Sequence, residues 1–245
     1  MKKSVILIML IAVSIISVSH AKTNFESDTI KTQRGNLIMT FIGHGTLMFE
    51  YNGHIIHIDP VSRYADYTKM PKADVILLTH HHGDHLDMGV IKEISREDTD
   101  IILTETCYET VKAGRILGNG DTTVVRGLPI EAVPAYNLVH KRKNGQPYHP
   151  KGNGNGYVID CADVRVYIGG DTENIPEMKK LTNIDIAFLP MNLPYTMTPE
   201  MVVDAVNMFK PGILYPYHYG DTNVNDLLKL MEDVDDVEVR VRNLR

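Results

Sequence analysis

The segment from Thr79 to Asp87 concentrates the side chains best able to do chemistry, reading Thr-His-His-His-Gly-Asp-His-Leu-Asp. Side chains two apart in an extended segment share a face, so His80 and His82 can reach one metal ion. A turn at the glycine can bring Asp84 and His85 round to a second ion. Imidazole and carboxylate ligands suit zinc, and also iron or manganese. The sequence therefore predicts a site for two divalent metal ions, with zinc preferred.

The alternative for this segment is a run of surface histidines without function. The run follows the apolar segment 74–79, which has the composition of a strand buried on both faces. Proteins of mixed α/β type place their sites at the C-terminal ends of such strands. We therefore prefer the metal interpretation, and we predict that His81, between the two ligand histidines, points away from the metal.

The elements that would position this segment form two successive β-rich blocks, each ending in helix and strand. Strands are predicted over residues 37–42, 46–51, 54–58, 74–79, 101–104, 130–135, 156–161, 164–168, 184–189, 213–217 and 237–241, and helices over 88–96, 108–117, 201–209 and 227–231. The polar stretch up to about Arg34 receives no element. This order predicts an α/β fold, a four-layer αββα sandwich with two facing sheets and outer helices. One domain over residues 22–245, built of two similar halves, is preferred to two independent domains.

Composition sets limits on this fold. The chain has 245 residues, of which 43% are hydrophobic and 23% charged, enough apolar material for a large core. The net charge of -6 argues against a general nucleic-acid binder, which needs a basic face. Cys107 and Cys161 could pair in an oxidising compartment or remain two buried thiols, and their spacing leaves both possibilities open.

The first 21 residues have the pattern of a secretory signal peptide. Two lysines are followed by an apolar run from Val5 to Val18, and Ser19-His20-Ala21 supplies small residues at a cleavage site. A retained transmembrane anchor is the alternative, but the run is shorter than the roughly 20 residues that span a bilayer. We predict export to the periplasm or beyond, with residues 1–21 removed.

The histidine segment matches the HxHxDH motif of the metallo-β-lactamase superfamily, which this chain resembles. Four further segments resemble the family's other motifs in the expected order: Ile58-Asp59-Pro60, a middle histidine region, Gly169-Gly170-Asp171-Thr172 and Tyr217-His218-Tyr219-Gly220. The opening Phe41-Ile42-Gly43-His44-Gly45-Thr46 resembles the branch that contains L-ascorbate-6-phosphate lactonases and N-acyl phosphatidylethanolamine phospholipase D.

The resemblance implies roles for three further residues. Asp171 would bridge the two metals, and His218 would complete the site occupied by Asp84 and His85. Asp59 would hold a ligand histidine by a hydrogen bond. The plainer alternatives are a turn residue for Asp171 and a buried structural histidine for His218.

The chain departs from the family pattern at the third histidine of the first site. Relatives commonly place a histidine after the strand that ends at Ala135, where this chain has Tyr136-Asn137. We choose His149 as the replacement ligand, because Pro150 and the following glycines form a loop that could return it to the site. His140 is the reserve, and an exposed loop histidine is the alternative for His149.

The implied chemistry is hydrolysis. Two cations that share a carboxylate commonly hold a water between them as hydroxide, aimed at an ester, lactone or phosphodiester of a small molecule. Asp84 and His44 are the candidate catalytic residues, and Asn192 and Tyr195 are further candidates for stabilising the oxyanion or the leaving group.

The basic run Lys141-Arg142-Lys143, with Lys151 nearby, could attract an anionic substrate, although a solvated charge run explains it as well. A non-hydrolytic metal protein with redox or metal-binding function on the same fold is the alternative activity. A β-lactamase is a third interpretation, which the altered middle motif disfavours. Membrane association and oligomeric state are left open.

Overall fold

Two seven-stranded sheets dominate the structure, a computed structural model that describes residues 25–245. The predicted signal peptide, residues 1–21, lies outside the described residues. The first sheet contains β1 Ser27–Thr32, β2 Gly35–Gly43, β3 Thr46–Tyr51, β4 His54–Ile58, β5 Val75–Leu77, β6 Asp100–Leu103 and β7 Arg115–Ile116. The second contains β8 Thr122–Val125, β9 Leu128–Ala135, β10 Gly154–Cys161, β11 Val164–Ile168, β12 Ile186–Pro190, β13 Ile213–Tyr217 and β14 Glu238–Val239.

The two sheets share one topology. In each, seven strands follow chain order across the sheet. The first four strands pair antiparallel and the last four pair parallel, with β4 and β11 as the strands that change direction of pairing. The predicted division into two similar halves therefore appears as two sheets of the same strand order.

Within residues 25–245, four α-helices accompany the strands: α1 Met88–Ile94, α2 Glu105–Val111, α3 Pro199–Phe209 and α4 Val224–Met231. The side chains of Asp87, Thr104, Thr198 and Asn223 cap their first turns by accepting backbone N–H bonds. Within residues 25–245, no helix is both long and apolar enough to span a bilayer.

Alternation along β5 shows how the layers are held together. Val75 and Leu77 belong to the large apolar cluster that also contains the inner residues of the second sheet, such as Phe188. Ile76 and Leu78 face the other way and pack with the buried residues of α1 and α2. Each such side chain contributes roughly 1.5–3 kcal/mol through burial. The predicted four-layer αββα sandwich is confirmed.

The structure corrects two predictions. The helix placed over 108–117 is wrong: it begins at Glu105, after the Thr104 cap, and ends where Lys112 adopts a left-handed φ of 57°. Gly114 follows, just before β7. Only glycine fits there, because a Cβ would lie 2.7 Å from the backbone oxygen of Ile101. The polar stretch before Arg34 contains β1, an edge strand whose alternating exposure gave little apolar signal. Both cysteines are buried free thiols.

Candidate metal centre

The candidate metal centre lies where strands of both sheets end. Asp59 follows β4 and His80 comes shortly after β5, while Asp171 follows β11 and His218 follows β13 directly. Parallel neighbours in a sheet end at the same edge, so these loops converge. The chain folds its five scattered motifs into one cluster by this means.

The loop after β5 is fixed by its own backbone. The N–H groups of His85 and Leu86 both donate to the carbonyl of His82, at 2.9 Å. Downstream, Asp87 accepts from Ser62 and from the first turn of α1, which anchors the end of the loop. The tight turn at His82 is what separates the first two histidines from Asp84 and His85.

One group of nitrogen ligands consists of His80, His82 and His149, which we call the histidine site. His149 Nε2 lies 3.2 Å from His82 Nδ1. Two tetrahedral ligands of one zinc ion are about 3.3 Å apart for zinc–nitrogen bonds of about 2.0 Å. The separation therefore suits two nitrogens that share one ion.

A second group consists of His44, Asp84, His85 and His218, and we call its last three members the mixed site. His218 Nε2 and His85 Nε2 lie 3.7 and 4.0 Å from Asp84 Oδ2. His44 is part of the same cluster, with its Nε2 3.3 Å from Asp84 Oδ2 and its ring 3.6 Å from that of His218. This site combines one carboxylate with imidazoles.

Asp171 stands between the two sites and offers one oxygen to each. Its Oδ2 lies 3.2 Å from His149 Nε2 and 3.8 Å from His80 Nε2. Its Oδ1 lies 3.3 Å from His85 Nε2 and 3.4 Å from His218 Nε2. This is the placement expected of a carboxylate that bridges two cations.

Unpartnered polar atoms provide a test of whether the residues fit metal ions. Several buried atoms that face the cluster have no hydrogen-bond partner among the described residues: His80 Nε2, His85 Nε2, His218 Nε2 and Asp171 Oδ1. Leaving such atoms unsatisfied is costly in a folded interior. Cation coordination by these lone pairs would satisfy them together, so the donor set fits divalent metals.

Asp59 orients two of these histidines from behind. Its Oδ2 accepts from His85 Nδ1 at 2.8 Å and from the hydroxyl of Thr79 at 2.6 Å. Because the Thr79 hydroxyl donates to Asp59, its oxygen is free to accept from His80 Nδ1, at 3.0 Å. Both rings therefore hold their proton on Nδ1 and present Nε2 to the cluster. The predicted role of Asp59 matches this geometry.

His149 is oriented by a different network. Asn137 Oδ1 accepts from both the backbone N–H and Nδ1 of His149, at 2.7 and 2.8 Å. Asn137 is held in turn by Glu173 Oε1 and the carbonyl of Tyr195. Glu173, fully buried, also accepts the backbone N–H groups of residues 138, 139 and 140. The asparagine at the departure from the family motif thus holds the histidine that enters the cluster.

The histidines of the two sites also differ in pKa. Burial holds the pKa of His80 well below its usual value, and burial followed by the neighbouring His149 lowers the pKa of His82 to about 4. Burial also acts to lower the pKa of His85, but the carboxylates of Asp171, Asp59 and Asp84 outweigh it and raise this pKa to about 9. His82 is therefore neutral at pH 7, whereas His85 carries a proton in the absence of a competing cation.

Gly45 makes room for the mixed site. A Cβ at this position would lie 2.7 Å from His85 Cε1 and 3.4 Å from His218 Cδ2. The segment Gly43-His44-Gly45 at the turn from β2 to β3 can therefore place His44 beside the cluster only because Gly45 has no side chain.

The other candidates divide by location. Asn192 and Tyr195 line the cavity over the cluster, as does His44. His140 bonds to Glu173 and belongs to none of the metal-binding groups, and the exposed His81 belongs to none either. Sequence reasoning missed Glu173, because a lone glutamate after a Gly-Asp-Thr segment carries no recognisable signal.

Comparisons with known proteins identify the family. Residues 38–218 match the family model described as a beta-lactamase superfamily domain. A UPF0173 metal-dependent hydrolase from Nanoarchaeum equitans is 31% identical over 186 residues, which cover 74% of this chain and 82% of the relative.

Solved structures give the same placement. A crystal structure from Parabacteroides distasonis, named as a metal-dependent hydrolase, is 51% identical, with a TM-score of 0.86 over 90% of this chain and all of the other. The metallo hydrolase Igni18 from Ignicoccus hospitalis, 24% identical, shares the fold, with a TM-score of 0.71 over 85% of this chain and 95% of the other. The narrower likeness to lactonases and phospholipase D stays a prediction. The chain belongs to the metallo-β-lactamase superfamily and is one of its metal-dependent hydrolases.

Proposed function

We propose that this protein hydrolyses an ester, lactone or phosphodiester bond of a small molecule at a dinuclear metal site. The observation that carries the proposal is the position of Asp171, whose two oxygens face two separate groups of ligands. The histidine site and the mixed site would each hold one cation, and the histidine and carboxylate donors favour zinc, with manganese or iron also suited. Bound there, the cations would supply a water acidic enough to attack at neutral pH.

The surrounding residues have distinct tasks in this proposal. Asp84 is half-exposed toward the cavity, with 37% of its side chain accessible, so it can both ligate a cation and accept a proton from the attacking water. His44, 12% exposed and 3.3 Å from Asp84, can pass that proton on. Burial lowers the pKa of His44, more than its bond to Asp84 raises it, so His44 is neutral at pH 7 and able to accept the proton.

Two further polar side chains of the cavity could contact the substrate. Asn192 and Tyr195 line the same cavity of about 410 Å³, which is the size of a small-molecule site. Both can donate hydrogen bonds to an oxygen that gains negative charge during the reaction. The cavity therefore combines the histidines and aspartates of the metal centre with two neutral hydrogen-bond donors.

Metal analysis combined with hydrolysis assays tests the proposal. The mature protein, loaded with zinc or manganese, is expected to hold about two equivalents of metal and to hydrolyse members of a panel of lactones, phosphodiesters and aryl esters. A β-lactam in the same panel tests the β-lactamase interpretation. Tightly held iron with oxygen consumption, and no hydrolysis of any panel member, would overturn the proposal in favour of redox chemistry.

A further inference from the structure

Two arginines line the cavity over the metal centre. Arg63 lies in the loop that follows β4, and Arg142 lies in the loop between β9 and β10, so each half of the fold contributes one. Both side chains are exposed. Among residues 25–245, no carboxylate oxygen lies within 4.0 Å of either guanidinium. Most other arginines of the described chain are paired with carboxylates: Arg96, Arg126, Arg165, Arg240, Arg242 and Arg245.

Arg142 is held in place without an anionic partner. Its backbone N–H and carbonyl bond to Gln146 and Gly145, which close a small hairpin. Its guanidinium carbon lies 5.1 Å from the centre of the Tyr148 ring, and its Nη2 donates to the Tyr148 carbonyl at 3.3 Å. Tyr148 is itself edge-on to the Tyr195 ring at 5.0 Å. A guanidinium stacked in this way keeps its remaining N–H groups available to a ligand.

The basic run in this loop is divided by the structure. Arg142 lines the cavity, but Lys141 and Lys143 do not. Lys151, the other basic residue of the loop, is paired with Glu177 at 2.6 Å. Arg142 is therefore not simply part of a solvated charge run, because its side chain has a specific place on the cavity wall.

The charges of the cavity also point to an anion. Guanidinium groups have no lone pair and cannot ligate metal. The carboxylates of Asp84 and Asp171 are occupied with the histidine clusters, and any divalent cations bound there add further positive charge. The arginines thus have no negative partner within the cavity, and a neutral substrate would leave them without one.

We propose that Arg63 and Arg142 bind an anionic group, a carboxylate or a phosphate, that the substrate carries apart from the bond being hydrolysed. This inference rests on the proposed function and names the class of its substrate. Arginine suits the task because its planar fork matches both carboxylate and phosphate oxygens with two parallel hydrogen bonds. Tyr148 and Tyr195 line the same cavity as the two arginines and the metal cluster.

A matched pair of substrates tests the proposal by kinetics. Mono-p-nitrophenyl glutarate carries a free carboxylate, and p-nitrophenyl valerate has similar length and the same leaving group without the charge. A p-nitrophenyl ester of 3-phosphonopropionate tests the phosphate alternative. The zinc-loaded protein is expected to show a KM about tenfold lower for at least one charged ester. Arg142→Ala and Arg63→Ala are each expected to remove that preference, because they raise the KM for the charged ester more than the KM for the valerate ester.

Binding measurements separate this inference from the hydrolysis itself. Glutarate and glycerol phosphate are titrated calorimetrically into the wild type, Arg142→Ala, Arg142→Lys and the control Lys143→Ala. We expect about tenfold weaker binding in Arg142→Ala, partial recovery in Arg142→Lys, and no change in Lys143→Ala. Arg-dependent binding in a protein that hydrolyses no lactone, phosphodiester or ester of the panel would support the anion site and overturn the proposed function.

Two results would overturn the anion site. One is equal KM for charged and neutral esters in a protein that hydrolyses both, with no effect of either arginine variant. The other is equal loss of anion binding in Lys143→Ala and Arg142→Ala, since that would show only a general effect of charge. In either case the hydrolytic function would stand.

Discussion

The histidine site and the mixed site share Asp171 but are built in different ways. The histidine site contains three imidazoles and no carboxylate of its own, and its His149 comes from the second half of the chain. The mixed site contains Asp84, and its His85 carries the raised pKa. Behind them, Asn137 supports His149, whereas Asp59 supports His85. A neutral amide thus supports His149 directly, whereas a buried carboxylate supports His85 directly and reaches His80 only through the Thr79 hydroxyl.

This difference indicates how the two sites should respond to change. A carboxylate behind a ligand histidine raises the basicity of the ring and strengthens metal binding, and an amide oxygen does so less. The mixed site should therefore bind its cation more tightly, and protons should compete more strongly with that cation for the ligand histidine. The histidine site should bind more weakly but with less dependence on pH.

Removing the shared carboxylate of Asp171 should have the largest effect, because it serves both sites. In Asp171→Ala both sites lose a ligand, and we expect metal content to fall from about two equivalents to below one. Hydrolysis should fall on the order of 10³-fold. Elemental analysis and the ester assay measure this, with the exposed Glu97→Ala as a control. Retention of both metals would show that Asp171 does not bridge.

Changing the carboxylate behind the mixed site should have the next largest effect. Asp59→Asn can present an N–H to His85 Nδ1, which would then move the ring proton to Nε2 and block the metal-facing nitrogen. We expect the affinity of the mixed site to fall 10- to 100-fold, roughly the range for such supporting residues. Stepwise cobalt titration followed by visible absorption resolves the sites. An equal loss at the histidine site would contradict the assignment.

Removing the amide behind the histidine site should have a smaller effect, and on the other site. Asn137→Ala leaves His149 Nδ1 without its acceptor, and we expect about a tenfold loss of affinity confined to the histidine site. The same cobalt titration measures it. His140→Ala is the matched control, because His140 bonds to the same Glu173 but belongs to neither site. Equal effects of the two variants would show that only the loop as a whole matters.

The pH dependence should give the smallest effect and the sharpest contrast. Because the pKa of His85 is raised to about 9, cation binding at the mixed site at pH 7 must displace its proton. His82, with a pKa of about 4, has no proton to lose at that pH. Calorimetry in buffers of different ionisation enthalpy counts the protons released in each step, and His85→Gln should remove the release from the mixed site.

The same shift has a consequence for the protein stripped of metal. A pKa raised from 6.5 in the unfolded chain to about 9 in the fold means that protonated His85 stabilises the fold fully below pH 6.5. That contribution is lost as pH rises through about 9. Thermal unfolding of the chelated protein at pH 6 and pH 9.5 measures it, and a Tm that does not fall more in the wild type than in His85→Gln would contradict it.

Local sequence predicted one part of the site and could not predict the other. His80 through His85 lie in one short loop, so their spacing alone indicates that they share a site. His149 lies 67 positions beyond His82 and meets it through the pairing of the two halves. The prediction of His149 over His140 depends on a loop argument. The structure shows that the Asn137 bond orients His149 toward the cluster, and no spacing rule contains that bond.

The fold shows the same limit. The order of strands and the layered architecture follow from alternation and turn residues, which act over a few positions. The error over 108–117 arose because the apolar pattern runs past Lys112, while the left-handed backbone there and the close approach at Gly114 end the helix. Similarly, the basic run at residues 141–143 looks uniform in sequence, yet only Arg142 reaches the cavity.

Three residues of the metal centre adopt a left-handed backbone conformation that residues other than glycine rarely adopt. His44, Asp59 and His218 have φ values of 54°, 45° and 47°. Each such residue costs roughly 1–2 kcal/mol, against a total folding stability of about 5–15 kcal/mol for a typical domain. A selection for thermostability alone would therefore favour glycine at these positions and discard the site. Engineering of this enzyme has to gain its stability elsewhere in the chain.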